Sequence, residues 1–154
     1  QGLCTLKKEK EIKNKIGIVF DQKGFFPKLT GYQNLAFFAS LYGIHTSQTQ
    51  KIFQSFYDQM EADDFLIKKF ESYSSGMKVK LFLMKALIHD PEIILLDEPF
   101  NSLDVKSQEA LIQLIEKLHH DYHKTILLTY HGESALNKTL TRKLRIENFG
   151  IREG

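Results

Sequence analysis

Three short runs of unbroken apolar residues constrain this chain more than any other feature: "IGIVF" (Ile16 to Phe20), "IILL" (Ile93 to Leu96) and "TILLTY" (Thr125 to Tyr130). None alternates apolar with polar residues, so each reads as a strand buried on both faces. The segments between them carry helical spacing. Gly31 to Gly43 repeats apolar residues at Leu35, Phe38, Ala39 and Tyr42, with Thr30 placed to cap the helix. Ser47 to Met60 sets Ile52, Phe53, Phe56 and Met60 on one face. Gly76 to Asp90 is a strongly apolar helix that must stop before Pro91. Val105 to Tyr122 is amphipathic, and Gly132 to Leu140 reads as a short helix. Lys143 to Gly154 reads as a strand, a turn and the start of another strand, Asp21 to Gly31 as a loop, and Leu6 to Lys15 as a solvated Lys/Glu segment. Buried strands alternating with helices predict an α/β fold with a parallel sheet covered on both faces. Residues 31–90 hold no strand and read as a helical subdomain inserted into a core formed by 1–30 and 91–154.

Composition adds bounds rather than identity. With 154 residues, 42% of them hydrophobic, the chain can build one core. A net charge of +2 gives no reason to expect a nucleic acid as partner. The single cysteine, Cys4, forms no internal disulfide and points to a reducing compartment. No apolar run approaches the about 18 residues that suggest a membrane span, and the polar N-terminus does not look like a signal peptide. The chain begins with Gln1 rather than Met, as a trimmed sequence would.

The second strand runs directly into chemistry: "IILLDEPFNSLD" (Ile93 to Asp104). Strands of a doubly wound sheet deliver functional groups at their C-terminal ends. A carboxylate there suits Mg2+, a hard cation that takes oxygen ligands. Successive strand side chains face opposite ways, so Asp97 and Glu98 are expected to divide the work. Asp97 faces the metal, and Glu98 faces an attacking water as general base. Pro99 is expected to end the strand. A buried strand followed by an acidic turn is the plainer reading of the first half of this motif. The added "DEP" and "SLD" make it far more specific.

Two further pieces follow the same logic. In "SYSSGMK" (Ser72 to Lys78) a Ser-Ser-Gly turn opens onto a helix, where backbone N–H groups and a hydroxyl can meet an anion. Read alone it is an ordinary helix cap. In "TILLTYHGE", His131 sits just past a buried strand, where it can contact a phosphate or orient water, or be merely structural.

Taken in order, "YSSGMK", "IILLDEPFNSLD" and "ILLTYH" resemble the ATPase domain of the ABC (ATP-binding cassette) family, a P-loop NTPase-like fold. Tyr73, Ser74, Ser75, Gly76 and Met77 stand where that family has its signature, commonly LSGGQ. "IILLDE" looks like the Walker B strand with its catalytic Glu, "NSLD" like the D-loop, and His131 like the switch histidine. "IGIVFDQKGFFPKLTGYQNLAFFASLYG" resembles the Q-loop and the start of the helical subdomain. The resemblance implies ATP and Mg2+ as cofactors and a second cassette as head-to-tail partner, with ATP between the two. It implies that Ser74 and Gly76 touch the γ-phosphate of the partner's nucleotide and that Asp97 holds Mg2+. It also implies that Glu98 activates water, that His131 contacts the γ-phosphate and that Asp104 bridges the two sites. A transmembrane permease at the cytoplasmic face of the membrane is the implied load, with an exporter or multidrug type suggested. The Phe-rich stretch "GFFPKLT…NLAFFASLYG" reads mostly as core, and the resemblance implies that part of it, around Phe25 to Tyr42, lines the groove that receives the permease.

The departures are specific. Tyr73, Ser75 and Met77 replace the usual Leu, Gly and Gln of the signature. At the Q-loop, Asp21 falls on the usual Gln with Gln22 beside it, and either can approach Mg2+ and water. No G-x-x-x-x-G-K-[ST] occurs anywhere. The family places that loop several dozen residues before the Q-loop, so the cassette is expected to be N-terminally incomplete, with the motif lost upstream rather than mutated. Two other readings compete: a non-transport ATPase of the translation-factor type, and a non-catalytic chain that only binds partners. His119 and His123 have the i, i+4 spacing of metal ligands, but no third ligand joins them, and an exposed helix end accounts for them.

Overall fold

A computed structural model of the chain describes residues 8–20, 24–45, 48, 64–131, 140–147 and 150–153. The three apolar runs form a parallel sheet of β1 (Ile16–Val19), β2 (Ile93–Leu96) and β3 (Thr125–Leu128), in the order β1-β2-β3. Ile16 pairs with Ile93, and Ile93 with Thr125, so the strands run level and end together. β2 is central. Whatever follows Leu96 therefore emerges between the ends of both neighbours: the Asp97 N–H donates to the Val19 carbonyl at 2.9 Å, and the Thr129 N–H donates to the Leu96 carbonyl at 3.0 Å.

Helices cover one face of this sheet. Among them, α1 (Glu9–Lys13) is a single exposed turn in the predicted solvated segment. α2 (Gly31–Leu41) begins with a capping box, in which Thr30 and Gln33 each accept from the other's backbone N–H. α3 (Ser75–Leu87) buries Leu81, Phe82, Leu83 and Met84, and α4 (Val105–His120) buries Leu111, Leu114, Ile115 and Leu118. α3 lies so close to β1 that a Cβ on Gly17 would stand 2.4 Å from the Ala86 carbonyl oxygen, and only glycine fits there. Between α2 and α3, Phe25 packs against Phe38, Phe70 and Phe82 with ring centroids 4.9–5.2 Å apart. Two short 3-10 turns, Asp64–Ile67 and Phe70–Ser72, close that part of the core. β4 (Leu144–Glu147) and β5 (Gly150–Glu153) form a separate antiparallel hairpin, in line with the predicted strand-turn-strand.

Several expectations need correction. The sheet is not covered on both faces by the described residues: Ile18 is 48% and Leu127 59% exposed. Tyr42 falls beyond the end of α2 and stacks on His89 with centroids 4.2 Å apart, instead of packing on the helical face. α4 ends at His120, so His123 is not on it, and His123 adopts φ +53°. The predicted helices over 47–60 (Gln48 apart) and 132–140 (Leu140 apart) lie outside the described residues, as do Asp21 and Gln22.

Candidate functional site

The site grows from the end of β2. Leu96 is the last strand residue, and Asp97 and Glu98 follow in a bend. The Thr129 hydroxyl donates to Asp97 Oδ1 at 2.6 Å and accepts the Glu98 N–H at 2.9 Å. Glu98 has φ +44°, a left-handed conformation uncommon outside glycine. This corrects the sequence argument: the chain leaves the strand before the two acids, so a backbone turn rather than strand alternation separates them. Pro99 likewise does not end the strand but sits within the turn that follows.

Both oxygens of Glu98 are engaged. His131 Nε2 lies 2.6 Å from Oε1, and Asn101 Nδ2 donates to Oε2 in a short contact. His131 is 85% exposed, whereas the Glu98 side chain is 36% exposed. The structure thus brings Asp97, Glu98 and His131 to one edge of the sheet, as the sequence predicts. A shallow hollow of about 40 Å³ beside the two acids is lined by Val19, Phe20, Val79, Phe82 and Pro99.

The Ser-rich turn and the residue after "NSL" form a second cluster. Ser74 caps α3, its hydroxyl accepting the Met77 N–H at 3.3 Å. Asp104 caps α4: Oδ1 accepts the Ser107 N–H at 2.8 Å and Oδ2 the Ser107 hydroxyl at 3.0 Å. That N–H first, and then the hydroxyl, hold the Asp104 carboxyl below the usual carboxylate range. The two helix starts touch. A Cβ on Gly76 would sit 2.9 Å from Ser107 Oγ, so glycine permits the approach. A cleft of about 440 Å³ opens beside them, lined by Ser74, Gly76, Met77, Lys80, Asp104 and Ser107 among others. Ser75 is the exposed first residue of α3. Tyr73 behaves differently from its neighbours. Its side chain is buried, and its hydroxyl donates to the Phe65 carbonyl at 2.7 Å, so it serves the core.

Sequence reasoning missed Thr129 and the partner role of Asn101. A threonine at a strand end reads only as a strand former, and Asn101 enters the sequence reading only as part of "NSLD", with no contact to Glu98 implied. Of the histidine pair with metal-ligand spacing, His119 Nδ1 bonds the Lys124 carbonyl at 3.0 Å, and His123 lies beyond the helix.

The family model described as ABC transporter matches residues 3–101. The chain is 33% identical over 131 residues to the ABC transporter ATP-binding protein NatA of Bacillus subtilis, matching 84% of this chain and 53% of that protein. It is 32% identical over 144 residues to the ergothioneine transport ATP-binding protein EgtV of Helicobacter pylori, matching 93% of this chain and 68% of the relative. Its fold matches the dimeric post-hydrolysis structure of the ATP-binding cassette MJ0796 bound to ADP and Pi. The TM-score is 0.68 at 27% identity, covering 85% of this chain and 58% of that one. The chain therefore spans about half the length of the first of these relatives. With a family model matched over most of its residues and a relative 32% identical of which it covers 68%, the chain belongs to the ABC transporter family.

Proposed function

We propose that the whole protein hydrolyses ATP to drive a transmembrane permease at the cytoplasmic face of a membrane. In this reading the present residues supply the hydrolysis edge and the signature. The observation that carries it is the convergence of Asp97, Glu98 and His131 at the ends of β2 and β3. No helix among the described residues is long and apolar enough to cross a membrane.

The donor set fits Mg2+. Asp97 is exposed, and its Oδ2 has no hydrogen-bond partner among the described residues. Mg2+ is commonly held by one or two carboxylates plus phosphate oxygens. When bound, the ion neutralises charge developing on the phosphates. Glu98 takes the proton from the attacking water, and His131 and Asn101 hold its carboxylate in place until the nucleotide arrives. Once there, His131 turns from Glu98 to the γ-phosphate. Ser74, Ser75, Gly76 and Met77 face the nucleotide of a second cassette, and Asp104 lies between the two sites. Tyr73 contributes through the core, by its packing and its hydrogen bond to the Phe65 carbonyl. Either Asp21 or Gln22 completes the water-side contacts. The proposed partition places 1–30 and 91–154 in the core and 31–90 in the signature subdomain, with α3 leading from one to the other.

The sequence has no P-loop, so this stretch by itself has no cradle for the β- and γ-phosphates and is inactive alone. In the full-length protein, Glu98→Gln should lower kcat by at least about 100-fold, the scale of general-base catalysis, while Mg·ATP binding persists. Hydrolysis unaffected by Glu98→Gln would refute the reading. Calorimetric titration of the present chain with Mg·ATP should show no saturable binding.

A further inference from the structure

Thr129 touches both acids, although no motif marks it. A hydroxyl has one proton to give and lone pairs to accept with. Thr129 donates through its hydroxyl to Asp97 Oδ1 at 2.6 Å and accepts the Glu98 N–H at 2.9 Å. Its own backbone N–H is fixed to the Leu96 carbonyl at 3.0 Å, so the hydroxyl is anchored from the strand ladder. Two residues on, His131 holds the Glu98 carboxylate. The end of β3 thus grips both acids at once. Glu98 in particular has a left-handed backbone that persists only where its surroundings hold it.

We propose that Thr129 is a positioning residue for the ATPase reaction: its hydroxyl fixes the Asp97 carboxylate for Mg2+ and couples that carboxylate to the backbone of Glu98. The metal-holding group and the water-activating group then move as one unit with β3. Rotation of the Thr129 side chain breaks both bonds together. This inference rests on the ATPase reading above.

The test uses the full-length protein as wild type, Thr129→Val, Thr129→Ala and Thr129→Ser. Thr129 is exposed, so the first two variants should fold, and thermal melting verifies it. Three quantities are read: ATP binding without metal, Mn2+ binding to the ATP complex by electron paramagnetic resonance, and the Mg2+ concentration for half-maximal hydrolysis. Loss of an outer partner of a metal ligand typically costs 10- to 100-fold, so Val and Ala should weaken Mn2+ binding and raise the Mg2+ requirement by about that factor. Metal-free ATP binding should stay within about twofold, and Ser should restore metal binding to within about threefold of wild type. A purely structural role would not separate metal binding from metal-free nucleotide binding. Wild-type metal binding in Val and Ala, or a Ser variant as impaired as Val, overturns the inference while wild-type hydrolysis leaves the ATPase reading intact. A wild-type protein that does not hydrolyse ATP overturns both.

Discussion

At the scale of single residues, Asn34 carries more structure than any motif. It is the one fully buried polar side chain among the described residues. Its Oδ1 accepts the Phe26 N–H at 2.8 Å, and its Nδ2 reaches the carbonyls of Phe26, Leu29 and Thr30 at 3.0–3.3 Å. It adds side-chain bonds to a loop whose only strand-like pairing among the described residues is the bridge between Thr30 and Lys69. Asn34→Ala should destabilise the fold by about 2 kcal/mol in a denaturant titration, because the Phe26 N–H loses its partner, while the carbonyls of Phe26, Leu29 and Thr30 keep the backbone N–H groups of Leu29, Phe70 and Asn34. Ser74→Ala should cost only about 1 kcal/mol by the same measurement, since one capping bond at an exposed turn is lost. Which residues meet at the sheet end was partly legible in the sequence. Asp97, Glu98 and His131 belong to recognisable patterns, and Thr30 was found as a cap because capping chemistry is local. Asn34 and Thr129 were not legible, because their partners become neighbours only after folding.

At the scale of elements, the sheet strands were found within a residue or two, because a run such as Ile93 to Leu96 has no other place to go than a buried sheet. Helix ends were harder. The pattern over Val105 to Tyr122 continues past the last turn, but α4 stops at His120 and the chain reverses through His123 at φ +53°. The end of α3 holds a pH-dependent contact that no pattern announced. His89 Nε2 donates to the Ile16 carbonyl at 3.1 Å, its ring lies on Tyr42, and Nδ1 is buried without a partner. Burial is the main cause that holds this imidazole below its ordinary value of 6.5. The Ile16 carbonyl and Asp90 oppose it, and Lys124 adds slightly to it. With the folded value depressed, the unfolded chain binds the extra proton first. The stability that neutral His89 carries is therefore complete above about pH 6.5 and is lost as pH falls through the lower folded-state value. Urea midpoints measured from pH 8 down to pH 5 should fall for the wild type, and His89→Gln should flatten the part of that slope due to this group.

At the scale of the whole molecule, the two faces of the sheet are unequal. Helices α3 and α4 close over Ile94 and Leu96, whereas Ile18 and Leu127 stand largely exposed among the described residues. Contiguous apolar surface of this kind promotes association. The chain on its own should self-associate as its concentration rises, and Leu127→Glu should reduce this in sedimentation velocity. The overall fold class was legible, since strand burial and helix spacing are properties of the chain itself, but which sheet face the described residues leave open depends on packing and was not. The long axis of α3 has one more consequence. Its 13 residues span about 20 Å, from the Ser74 cap to the contacts of Ala86 and His89 with β1. A rigid rod of that length, tilted by about 10° at its β1 end, sweeps its far tip through about 3 Å. Such an arc is a full hydrogen-bond length, so a tilt of that size at the sheet would carry the Gly76 end of α3 through the distance that separates a contact from a gap.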